Sequence, residues 1–140
     1  VKQIRSVYVA GASSEIERAK TAIERLGLAG IEVTSTWPNV VASFGDANPA
    51  TATLSERNGW SAADLEQVGA ADLLWFLVPG DGATTRGGWL EAGFAHAKGK
   101  TLVFSGETSQ SIFCALGAEF GSDVDAFATI CRIAREGSWR

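Results

Sequence analysis

Apolar runs and helical spacings alternate along this chain, and their order predicts its architecture. Ser6-Val-Tyr-Val-Ala10 is β-branched and apolar, stops at Gly11, and predicts a first strand. Ser14 precedes Glu17 by three residues, a capping-box spacing. Ile16, Ala19, Ile23 and Leu26 follow at helical spacing, with a stop at Gly27. Ile31 to Ser35 alternates as a second strand, ended by Trp37-Pro38. Residues 39 to 60 carry Gly45, Pro49 and Gly59 among several Asn, Thr and Ser. That is long for a plain connection and predicts a lid or an irregular, partly helical excursion. Ser61, with Asp64 three residues on, predicts a helix through Val68. The apolar run Leu73 to Val78 reads as a buried central strand, followed by a Gly-rich loop over 80–88 and a helix carrying Glu91 that stops at Gly99. Thr101 to Phe104 is a fourth strand, Ser111 to Leu116 a short helix, and Ala118 to Phe120 a fifth strand. Asp123 is placed to cap a last helix running to about Arg135. Residues 136–140 read as a frayed tail in which Trp139 is free to dock on a neighbour. Strands alternating with helices in this way predict an α/β fold, a parallel sheet of about five strands with helices on both faces.

Composition narrows the functional classes. The 140 residues suit one domain, 1–140, with an ordinary 46% hydrophobic and 20% charged content. A net charge of −4 gives no electrostatic reason to bind a nucleic acid polymer or an anionic membrane. No apolar run nears the ~20 residues a bilayer requires. The amino end leads into a strand without a signal-peptide pattern, so a cytoplasmic location is expected. Cys114 and Cys131 lie in helix-like segments and read as small buried hydrophobes in a reducing compartment. With His96 as the only histidine, no metal site is expected, and no cofactor is called for.

Candidate chemistry gathers behind the central strand. Glu91 enters a helix just past the carboxyl end of that strand, the edge at which open α/β sheets bind ligands. The competing reading is a first-turn acid complementing the helix dipole. Asp64 is either a catalytic acid or the third position of the Ser61 capping box. Tyr8 is either a partner for an acid or core packing. Gly11, Ser13 and Ser14 turn into a helix whose free N–H groups suit a phosphate or sugar hydroxyl, or are an ordinary helix start. Thr85, Arg86, Gly87 and Gly88 combine a hydroxyl, a guanidinium and backbone amides, a sensible phosphate site or simply a loop. Trp37, Trp60 and Trp89 are stacking candidates or core fillers, with Trp37 and Trp60 the better placed for a pocket. His96, five residues beyond Glu91, falls on another face of the helix and reads as structural or exposed.

Three separated pieces carry a resemblance: Val7-Tyr-Val-Ala-Gly11, Asp64-Leu-Glu-Gln-Val-Gly-Ala-Ala-Asp72, and the run Gly87-Gly-Trp-Leu-Glu-Ala-Gly-Phe-Ala-His-Ala-Lys-Gly-Lys100. Together they resemble the nucleoside 2-deoxyribosyltransferase family and its relatives, the 2-deoxynucleoside 5-monophosphate N-hydrolases. The likeness covers roughly residues 5 to 105, and its specific part is Glu-x-Gly-aromatic-Ala followed by Gly-Lys. It implies a flavodoxin-like, Rossmann-like three-layer sandwich and cleavage of an N-glycosidic bond in a (deoxy)nucleoside or its 5′-monophosphate. It implies Glu91 as the nucleophile at C1′, Tyr8 as its hydrogen-bond partner, and Asp64 as the group assisting proton transfer at the base. Thr85 stands at the offset of a phosphate-binding serine, and Asp81 at a position that contacts the base in some relatives. The ligand is then a small-molecule nucleoside or nucleotide, the setting nucleotide metabolism, and the assembly a homo-oligomer, dimer or larger. Hydrolase and transferase stay open. So do two alternatives: a phosphoribohydrolase, whose motif spacing Pro79-Gly80 and Glu91 exceed, and a non-catalytic nucleotide-binding module or sensor on the same fold.

Overall fold

The computed structural model of this protein describes residues 3–43, 51–80 and 83–136. Its strands are β1 (Ser6–Ala10), β2 (Glu32–Val33), β3 (Leu73–Val78), β4 (Thr101–Gly106) and β5 (Ala118–Phe120). Its helices are α1 (Ile16–Leu28), α2 (Trp37–Ser43), α3 (Leu54–Ala70), α4 (Arg86–Ala97) and α5 (Asp123–Glu136). All five strands pair in parallel, in the order β2-β1-β3-β4-β5. That is the flavodoxin-like, doubly wound order. Helices α1 and α5 pack together on one side of the sheet and α3 and α4 on the other, giving the three layers of an α/β sandwich. Every residue of β1 and β3 is buried. Their runs lack polar alternation because helices cover both faces.

Several element boundaries differ from the sequence expectation for physical reasons. The expected five-residue second strand shrinks to Glu32–Val33. Beyond Thr34, whose N–H still donates to the Val7 carbonyl at 3.0 Å, side chains replace the ladder: the Val9 N–H donates to Ser35 Oγ at 3.1 Å, and Trp37 Nε1 donates to the Val9 carbonyl at 2.8 Å. Trp37-Pro38 therefore opens α2 rather than merely ending a strand. The Ser14–Glu17 box does not form; a 3-10 turn at Ser13–Glu15 leads into α1 without a side-chain cap. The helix runs past Gly27 to Leu28, and the chain reverses at Gly30, whose φ of 80° suits glycine.

The larger correction concerns α3. It begins at Leu54, capped by a reciprocal box between Thr53 and Glu56, and Ser61 lies inside it. Ser61 donates back to the Asn58 carbonyl at 3.2 Å instead of capping anything. The 39–60 stretch is partly helical as expected; Gly45 and Pro49 lie outside the described residues, as does Trp139. Helix α4 starts at Arg86, so Arg86 to Gly88 are helical rather than loop. At α5 the cap is Ser122, whose hydroxyl accepts from the Asp125 N–H at 3.2 Å, while Asp123 turns its carboxylate elsewhere. Both cysteines are free, and no described helix is long and apolar enough to cross a membrane.

Candidate active site

Helix α4 is set against the sheet by its first turn. Thr85 Oγ1 accepts from the Gly88 N–H at 3.0 Å, capping the helix, and donates to the Gly11 carbonyl at 3.2 Å. Gly88 sits so close to β3 that an added Cβ would lie 2.9 Å from the Phe76 ring and 3.0 Å from Thr85. One turn further along the same face comes Glu91, followed by Ala92 and Ala95, all buried. This close approach carries the Glu91 carboxylate down onto β1. There the buried Tyr8 hydroxyl donates to Glu91 Oε2 at 2.5 Å.

The other face of Glu91 opens on a cleft of about 260 Å³ between α3 and α4. Asp64 and Leu65 form one wall and Arg86, Gly87, Leu90 and Glu91 the other, with Ser61 at the rim. Asp64 follows from the true start of α3: it stands in the third turn, facing α4, and is no part of a capping box.

Electrostatics separate the three groups. Burial is the main influence on Glu91 and raises its pKa to about 7; the Tyr8 hydrogen bond pulls it down, and the Asp64 charge pushes it up. The competing reading of Glu91 as a first-turn acid complementing the helix dipole does not hold. Glu91 is the sixth residue of α4, beyond the reach of the first-turn N–H groups. Burial also raises Asp64. Tyr8 is raised by burial first and then by Glu91, so it stays a proton donor throughout the working pH range. Removing that donor has a definite sign. In Tyr8→Phe the stabilising bond to the carboxylate is lost, so the Glu91 pKa is expected to rise further above 7. An activity that needs the carboxylate would show its acidic limb displaced to higher pH. A limb that stays in place or moves down would disprove the coupling.

The structure separates the remaining candidates. Arg86 and Gly87 reach the cleft. Arg86, Thr85 and Trp89 also border a second hollow of about 290 Å³, floored by Pro79 and Gln110. The Thr85 hydroxyl and the Gly88 amide are both engaged in holding the helix. Gly11 offers its carbonyl to Thr85, and Ser13 and Ser14 are exposed in the 3-10 turn. Trp37 is buried with its indole N–H bonded to β1, and Trp89 packs on Phe76 at 4.5 Å between ring centroids. Trp60 is half-buried on α3 and His96 is exposed. Asp81 lies outside the described residues. Among the described residues no group of three or more His, Cys, Asp or Glu is arranged to hold a metal.

One constellation escaped the sequence reading. Arg18, Asp123, Ser105, Trp75 and Glu15 form a polar network at the carboxyl edge of the sheet, on the α1–α5 side. Its one sequence signal was a serine inside an otherwise apolar strand, Leu102-Val-Phe-Ser105.

Fold and cleft together define a flavodoxin-like α/β protein with a buried glutamate–tyrosine pair at the carboxyl edge of its sheet. No family model and no curated protein sequence matches the chain. Solved structures do match it in fold. A conserved protein from Enterococcus faecalis V583 superposes with a TM-score of 0.64 at 18% identity, covering 92% of this chain and 98% of that one. The Clostridium botulinum CMP N-glycosidase BcmB superposes with a TM-score of 0.53, also at 18% identity, over 88% of this chain and 94% of the other.

Proposed function

We propose that this protein cleaves the N-glycosidic bond of a (deoxy)nucleoside or its 5′-monophosphate. The observation that carries the reading is the buried Glu91 carboxylate, held by the Tyr8 hydroxyl and turned toward a cleft that also contains Asp64. The fold shared with a CMP N-glycosidase supports it. Glycosidic cleavage passes through an oxocarbenium-like state and needs a carboxylate beneath C1′ and a proton donor at the leaving group. Ionised Glu91 attacks C1′; the bond from C1′ to the base nitrogen breaks, and the base takes the proton of the Asp64 carboxyl. Burial raises both carboxyls and the Asp64 charge raises Glu91 further, so the pair favours holding one proton, and the step proceeds from the form that carries it on Asp64. Water then attacks C1′, gives its proton to Asp64, and releases the sugar from Glu91. A second base in place of water would make the same chemistry a transfer.

Base release measured by chromatography tests this. Purified protein is incubated with a panel of nucleosides and nucleoside monophosphates, ribo and deoxy, with and without a free acceptor base. Release without acceptor makes the protein a hydrolase; release that requires acceptor makes it a transferase. A panel with no release, in which nucleotide still binds, would replace the enzyme reading with that of a binding module.

A further inference from the structure

Arg18 is saturated. A guanidinium carries five N–H donors. Here Nε donates to Asp123 Oδ2 at 2.7 Å. Nη1 donates to Glu15 Oε1 at 3.1 Å and to the Val78 carbonyl at 2.7 Å, and Nη2 donates to Asp123 Oδ1 at 2.7 Å and to the Ser105 carbonyl at 3.1 Å. Val78 is the last residue of β3 and Ser105 lies near the end of β4, so one side chain from α1 ties both strand ends to α5. The fold makes room for it. Gly106 has φ 111°, and a Cβ there would lie 2.8 Å from the Val78 carbonyl and 3.0 Å from Arg18 Nη2. Ser105, fully buried, accepts from Trp75 Nε1 at 2.8 Å and donates to Asp123 Oδ1 at 2.7 Å, which orients the carboxylate.

The bonds continue into the chain that leaves β3. Glu15, anchored by Arg18, accepts from the Gly80 N–H through Oε2 at 3.3 Å, and Gln110 Nε2 donates to the Pro79 carbonyl at 2.5 Å. The consecutive residues Val78, Pro79 and Gly80 are thus each held by a side chain from another element. This is the root of the connection that ends at Thr85, the cap of the Glu91 helix, and Pro79 and Gln110 floor the hollow that shares Arg86 with the Asp64–Glu91 cleft.

We propose that Arg18 is a positioning residue for the candidate site: by clamping the ends of β3 and β4 it fixes the root of the β3–α4 connection and so sets Arg86 and Gly87, the substrate-binding part of the wall they share with Glu91. The catalytic part of this claim rests on the proposed N-glycosidic reading; the clamping part does not. Because Glu91 has its own anchor in Tyr8 and the packing of α4, loss of the clamp acts on substrate placement and leaves the titration of Glu91 alone. Lysine does not substitute, since one ammonium cannot reproduce a planar fork that meets a carboxylate and two carbonyls together.

Three variants test it: Glu15→Ala, which releases Gly80 but keeps the Arg18–Asp123 pair, Arg18→Lys, and Arg18→Met. Hydrogen exchange is followed in the peptide spanning 79–88, and base release is measured per folded molecule. All three variants are expected to exchange 79–88 faster than the wild type while β1 keeps its protection. Arg18→Lys and Arg18→Met are expected to lose about 10- to 100-fold in kcat/KM, mostly through KM. The acidic limb of kcat should stay at its wild-type pH. Unchanged exchange of 79–88 in Glu15→Ala and Arg18→Met overturns the proposal, and so does wild-type kcat/KM in Arg18→Lys. If the wild type releases no base from any nucleotide, the N-glycosidic reading fails by itself, and the exchange of 79–88 alone decides whether Arg18 clamps this connection.

Discussion

Glu91→Gln is expected to abolish base release and, at pH 8, to leave a more stable protein than the wild type. The catalytic loss follows from removing the nucleophile, for which about 10³-fold or more in kcat is expected. The stability gain follows from burial. Glu91 has a folded pKa of about 7 against 4.5 for a free glutamate, so between those values the folded state holds a proton that the unfolded chain has released. The penalty is absent below about pH 4.5, grows as pH rises, and is complete above 7. At 1.36 kcal/mol per pH unit it comes to on the order of 3 kcal/mol. Glutamine fills nearly the same volume, still accepts from Tyr8, and never ionises. The melting temperatures of variant and wild type should therefore coincide near pH 4 and diverge by several degrees at pH 8. Retained base release in Glu91→Gln would end the nucleophile assignment. Melting curves that run parallel across this pH range would show that Glu91 is not ionised against burial.

Asp64→Asn carries the second large effect. An amide keeps the shape of the α3 wall but donates no carboxyl proton, and loss of a general acid reduces the rate by about 10²- to 10⁴-fold. The defect should shrink for substrates whose base leaves readily without protonation, because those need the donor least. A defect of equal size for good and poor leaving groups would make Asp64 a binding residue rather than a proton donor. The same variant removes the charge that raises Glu91, so in the free protein the Glu91 carboxyl should titrate at lower pH. That is opposite to its displacement in Tyr8→Phe, and the pair of shifts tests the three-residue arrangement as a unit. Both depend on low ionic screening inside the cleft, which the burial of Glu91 provides.

Some misread elements had a readable signal. Thr53 and Glu56 stand at capping-box spacing, as Ser61 and Asp64 do, and the second pair is an accident within a helix already begun. Helix α3 buries Val68 and little else of its length, so it shows no strong apolar stripe from which to count back to its start. Asp123 stands at a helix start, but a carboxylate there has two uses, and an arginine 105 positions away claims it. The shortening of β2 had no local signal at all, because the groups that replace its ladder, Ser35 and Trp37, are ordinary strand and core residues until β1 lies beside them.

The sequence by itself determined the parallel α/β architecture and the place of Glu91 just past the central strand. Strands buried on both faces read as continuous apolar runs, α1 and α5 show their helical period, and both are local properties of the chain. Only the tertiary structure decided what Glu91 touches. Its bond to Tyr8 spans 83 positions, its cleft depends on how closely Gly88 lets α4 approach β3, and the Arg18 clamp joins α1 to α5 across the ends of two strands. Such contacts follow from strand order and helix rotation, which are set by the packing of the whole chain and by no pattern within a segment.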